Sequence, residues 1–99
     1  MLFHAKVTVR VPLDVDPEKI EQLGEREHAR AGELQRAGKW LHLWRVVGQW
    51  SNISIFKVDS PLELHEILES LPLHPYMDVE VTALCRHPGA LEPAEGQTT

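Results

Sequence analysis

From Leu2 to Val11 apolar and polar residues alternate, with Phe3, Ala5, Val7, Val9 and Val11 on one side and His4, Lys6, Thr8 and Arg10 on the other. A period of two marks a half-buried strand, and Pro12 ends it. Asp16-Pro17 then supplies an N-cap followed by proline at the first helical position, and Gly38 supplies a C-terminal stop. At about 100° per residue, Ile20, Leu23, Ala31 and Leu34 fall within about 80° of one another, the stripe of a long amphipathic helix. Trp40 to Val47 and Ile53 to Val58 are rich in aromatic and β-branched residues and flank the polar patch 48–52, which predicts an antiparallel hairpin. Ser60 and Glu63 form a capping box for a second helix with the stripe Leu64, Ile67, Leu68 and Leu71, stopped by Pro72 and Pro75. A last alternating strand runs from about Met77 to Cys85. Beyond Pro88 the small, polar residues 89–99 predict a loose tail.

The order β-α-β-β-α-β predicts one α+β domain over residues 1–88, of the ferredoxin-like kind: a four-stranded antiparallel sheet with both helices on one face. In an ideal strand, Trp40, His42, Trp44 and Val46 share one side and Leu41, Leu43, Arg45 and Val47 the other. Neither side is polar. A thin two-layer domain with such a strand needs a cover for its second face, and self-association is the simplest one.

Composition narrows the function classes. With 99 residues there is room for one domain, and a net charge of -5 offers no basic footprint for nucleic acid. The lone Cys85 cannot pair within the chain, which suits a reducing compartment. No apolar run is long enough to span a bilayer, and the opening segment reads as a strand rather than a signal peptide, so a cytoplasmic protein is expected. Six histidines invite a metal, but none forms an i, i+4 pair on a helix, and no metal site is expected. There is no phosphate loop, nucleophile elbow or CxxC, and no serine at 51, 54, 60 or 70 has a nucleophile's context. Acid–base chemistry or plain binding remains.

Glu27 is the most informative position. It lies at the centre of the first helix's apolar stripe, where burial raises a carboxyl pKa toward the range of a general base. The alternative is a structural ion pair with Lys6, Arg45 or another cation. Trp40, His42 and Trp44 could wall an apolar pocket, or simply pack. Arg45 within so apolar a strand calls for an anionic partner, on the protein or on a ligand, although only a bulge would bring it to the tryptophans' side. His28 borders Glu27 on the helix. Asn52 could donate to a carbonyl or enolate oxygen, or merely form the turn.

Three segments, MLFHAKVTV, QRAGKWLHLWRVVG and LPLHPYMDVEVTALCRHP, together resemble the muconolactone isomerase family over about residues 1–88. The resemblance implies a ferredoxin-like fold, a ring-like homodecamer with pockets at subunit contacts, and no cofactor. It implies the catechol branch of the β-ketoadipate pathway, where the ring double bond of (+)-muconolactone is moved by 1,3-proton transfer to give 3-oxoadipate enol-lactone. Carried over residue by residue, it makes Glu27 the base and places Trp40, His42, Trp44, Arg45 and Asn52 around the substrate, with Arg45 or His42 binding its carboxylate. Tyr76 and Met77 fall in the matched PYMD block as wall residues. His28 stands where lysine is common and Trp50 where tyrosine is common; if either family residue holds the substrate or donates a proton, the alternative substrate is a methyl- or chloro-substituted lactone. Competing readings are dehalogenation of a chlorinated lactone and a non-catalytic small-molecule-binding module.

Overall fold

The computed structural model describes residues 1–92. Four strands, β1 (Leu2–Val9), β2 (Trp40–Arg45), β3 (Ser51–Lys57) and β4 (Met77–Leu84), and two helices, α1 (Pro17–Arg36) and α2 (Pro61–Glu69), follow the expected order, with a short 3-10 turn at His74–Tyr76 before β4. The sheet order is β2-β3-β1-β4, and every pairing is antiparallel. This is the split β-α-β arrangement anticipated from the periodicities. No described helix is long and apolar enough to cross a membrane. The expected loose tail lies mostly outside the described residues.

The caps act as the sequence indicates. The Asp16 carboxylate accepts from the Glu18 amide at 3.0 Å, and Ser60 Oγ accepts from the Glu63 amide at 3.1 Å, each satisfying a helix-end donor. Glu63 also accepts from Lys39 Nζ at 2.9 Å, tying α2 to the start of β2. Gly38 and Gly48, with φ of 74° and 80°, take the left-handed conformations that end α1 and turn the hairpin.

The core lies between helices and sheet: Phe3, Ala5 and Val7 from β1, Phe56 from β3, Leu34 from α1, and Leu64, Ile67 and Leu68 from α2. Burying each such large side chain contributes roughly 1.5–3 kcal/mol. β1 and β2 are shorter than the alternation suggests, whereas β3 begins two residues earlier than expected, at Ser51. β1 stops at Val9, whose amide bonds to the Trp50 carbonyl, and β2 stops at Arg45, because the chain turns through residues 46–50.

One correction concerns β2. A bulge at Leu41 shifts the register, so Trp40 pairs with Phe56, but Leu43, Trp44 and Arg45 pair with Ser54, Ile53 and Asn52. Trp40, Leu43 and Arg45 therefore share the helix-covered side, in place of the expected Trp40, His42 and Trp44. His42 and Trp44 turn to the uncovered face, stacked with ring centroids 4.8 Å apart and planes 5° from parallel.

Candidate active site

A cavity of about 440 Å³ opens between α1 and the sheet at the β2–β3 end, within the size range of small-molecule sites. The helix makes the room. Gly24, Glu27 and Ala31 are spaced i, i+3 and i+7, so they sit on one face toward the sheet. Two of the three have little or no side chain, and the helix cannot fill the space beneath it. The floor comes from Leu43, Arg45 and Asn52, and Val9, Trp50, Leu73 and Met77 complete the wall, with the Val9 amide bonded to the Trp50 carbonyl at 2.9 Å.

Glu27 is half-buried. Its Oε1 accepts the Leu73 amide N–H at 3.0 Å, across 46 residues of chain. Among the described residues Oε2 has no hydrogen-bond partner, and it is not closed off from solvent. Burial pushes the carboxyl pKa above its ordinary value; the Leu73 hydrogen bond and the nearby His28 pull the other way and are outweighed. The structural ion pair is not made: Glu27 forms no salt bridge among the described residues, Lys6 lies on the other side of the sheet, and Arg45 Nη1 donates to the Gln49 carbonyl at 3.2 Å.

Arg45 and Asn52 are directly paired across β2 and β3 and reach the cavity side by side. The Asn52 Oδ1 accepts from Ser54 Oγ at 2.7 Å, so its acceptor is engaged within the protein while its Nδ2 donors have no described partner. Trp40 is 4% exposed and packs on Phe56 with centroids 4.8 Å apart; among the described residues its Nε1–H is buried without a partner. Glu27, His28 and Arg45 are the ionisable side chains that line the cavity.

Of the residues singled out from sequence, Glu27, His28, Trp40, Arg45, Trp50, Asn52 and Met77 come together here. Three do not. His42 and Trp44 face away because of the bulge, and Tyr76 lies off the cavity in the 3-10 turn, its carbonyl accepting from the Arg10 amide at 2.7 Å. As site residues, sequence reasoning missed Val9, Gly24, Ala31, Leu43, Ser51 and Leu73. A signal existed for Gly24, which falls one turn before Glu27 on the same stripe. None existed for the Leu73 amide. Among the described residues no cluster of three metal-ligating side chains occurs.

A family profile described as muconolactone delta-isomerase matches residues 1–90. Muconolactone Delta-isomerase 2 of Acinetobacter lwoffii is 52% identical over 91 residues, covering 92% of this chain and 95% of the relative. The Muconolactone Delta-isomerase of Pseudomonas putida is 50% identical with the same coverage, and that of Rhodococcus opacus is 52% identical over 86 residues, covering 87% of this chain and 92% of its own. A crystal structure of muconolactone isomerase at 3.3 Å resolution superimposes with a TM-score of 0.88 at 52% identity, covering 94% of this chain and 97% of the other.

Proposed function

The chain belongs to the muconolactone delta-isomerase family, and from that premise we propose that it moves the ring double bond of muconolactone by proton transfer through Glu27. Glu27 Oε2 removes the proton from ring carbon 4. The C4–H pair shifts into the C3–C4 bond, the C2–C3 pair moves toward the carbonyl, and a dienolate forms with charge on the lactone oxygen. The same carboxyl then returns the proton to carbon 2. Atoms and charge balance with no cofactor consumed, and the product is the enol-lactone.

The observation that carries this reading is a carboxyl on a cavity wall with no ion-pair partner among the described residues, one oxygen tethered and the other open. Its raised pKa suits a group that must both take and return a proton. A binding module has no use for so costly a placement. Asn52 Nδ2 is the donor for the dienolate oxygen, and Arg45 holds the carboxymethyl carboxylate. Paired residues on adjacent strands have Cβ atoms roughly 5 Å apart, a span that matches a carboxylate and a carbonyl on opposite sides of a small ring. Between Arg45 and His42, the cavity favours Arg45 as the anion contact, since His42 faces away.

The protein works as a homo-oligomer in the cytoplasm, a decamer on the family resemblance. The uncovered sheet face supports this, with Trp44 55% exposed beside Ile53 and Ile55, and the lone Cys85 thiol fits a reducing compartment. The test is the ultraviolet change on mixing with muconolactone, with Glu27→Gln and the methyl- and chloro-lactones run in parallel. Turnover is expected to fall by about 10²–10⁴-fold in the variant. Unchanged turnover there removes Glu27 from the mechanism, and faster turnover of a substituted lactone reassigns the substrate.

A further inference from the structure

Ser54 is an unexpected residue at its position. It sits in the middle of β3 on the helix-covered side, paired with Ala5 and Leu43, one register step from Phe56, and it is 0% exposed. A hydroxyl in such a place must satisfy its proton inside the protein. It does so through one contact, the 2.7 Å bond to Asn52 Oδ1. Residues i and i+2 of a strand point the same way, which brings the two side chains together.

That contact fixes which end of the amide is free. If the Asn52 amide were turned over, its NH₂ would point at Ser54, and the serine proton would lose the acceptor it has. Burial makes that costly, by roughly 1–3 kcal/mol for an unmade hydrogen bond. The Oδ1 end is therefore held toward the core, and the Nδ2 end is left for the cavity that Asn52 lines. A donor whose orientation is set before the reaction stabilises developing charge without reorganising.

We propose that Ser54, which does not line the cavity, is a positioning residue: its hydroxyl clamps Asn52 Oδ1 and so presents the Nδ2–H donors to the lactone oxygen on which charge develops. The inference rests on the isomerase reading above and deepens it. Without the clamp, the Asn52 amide rotates and offers its oxygen as readily as its nitrogen, which repels an oxyanion. The loss falls on kcat, because the charge on that oxygen is fully formed only after proton removal.

The test is a double-mutant cycle on the full-length protein with muconolactone: Ser54→Ala, Asn52→Ala, and both together. Removing an oxyanion donor typically lowers kcat by about 10²–10³-fold, the expected effect of Asn52→Ala. Ser54→Ala is expected to lower kcat by about 10-fold or more with KM within about twofold, and to have no further effect once Asn52 is alanine. Equal losses from Ser54→Ala in both backgrounds would assign Ser54 to packing and overturn the proposal. An unimpaired Asn52→Ala would overturn it as well, by removing the donor it positions. Glu27→Gln in the same assay separates these failures from failure of the isomerase reading itself. If Ser54→Ala does not fold, the isosteric pair Ser54→Thr and Ser54→Val, which differ only in the hydroxyl, carries the same contrast: kcat must be higher for threonine.

Discussion

Replacing Glu27 by glutamine has two consequences of opposite sign. Turnover is lost, while the fold at neutral pH becomes more stable. The glutamine oxygen keeps the Leu73 N–H bond, but a charge-assisted bond of about 1.5–3 kcal/mol becomes a neutral one of about 0.5–1.5, a loss near 1 kcal/mol. Against that stands removal of the carboxylate's desolvation cost, several kcal/mol for full burial and reduced at this half-buried, partly screened site. The raised pKa of Glu27 says that burial outweighs its favourable contacts. The net gain is on the order of 1 kcal/mol, or about 4–8 °C in Tm for a chain of this size. Its pH dependence is the sharper signature. Between the ordinary carboxyl pKa and the raised folded value, the native state binds more protons than the unfolded state, so wild-type stability falls as pH rises through that window. The variant lacks this pH dependence. Urea denaturation at pH 4 and pH 8 should show Glu27→Gln gaining on wild type as pH rises. A variant no better placed at pH 8 than at pH 4 would refute the claim that Glu27 is held at a desolvation cost.

Arg45→Gln should raise KM for muconolactone by about 10–100-fold while kcat stays within a few-fold, because a uniform anion contact is removed; steady-state kinetics decides, and a kcat loss with unchanged KM would contradict the assignment. Gly24→Ala should stabilise α1 by about 0.5–1 kcal/mol, since a Cβ there meets nothing within 4 Å, whereas Gly24→Leu projects into the cavity and should raise KM; thermal melts and kinetics check the two effects. Trp44→Glu places a charge on the uncovered sheet face and should shift sedimentation toward smaller species. An unchanged sedimentation coefficient would show that this face is not a contact between copies.

Local patterning determined much of this protein. The period-two runs, the Asp16-Pro17 and Ser60 caps and the Gly38 stop each act through bonds to near neighbours in the chain, so the elements and their order were legible along the sequence. Glu27 at the centre of an apolar stripe was legible for the same reason, because helical geometry alone sets that angle. Only the tertiary structure decided what surrounds the carboxyl. The bulge at Leu41 exchanges the sides of β2, bringing Arg45 in and sending His42 and Trp44 out, and it follows from fitting β2 to its partner strand rather than from its own residues. The tether on Glu27 is a backbone N–H from 46 residues away, a group every non-proline residue carries and no residue type announces. The Ser54–Asn52 bond spans two residues, yet it matters only because the fold seals Ser54 from water while Asn52 stays open to the cavity. Which side chains exist, and on which stripe, is a property of the chain; which polar group meets which, and how dry the meeting is, belongs to the packed fold.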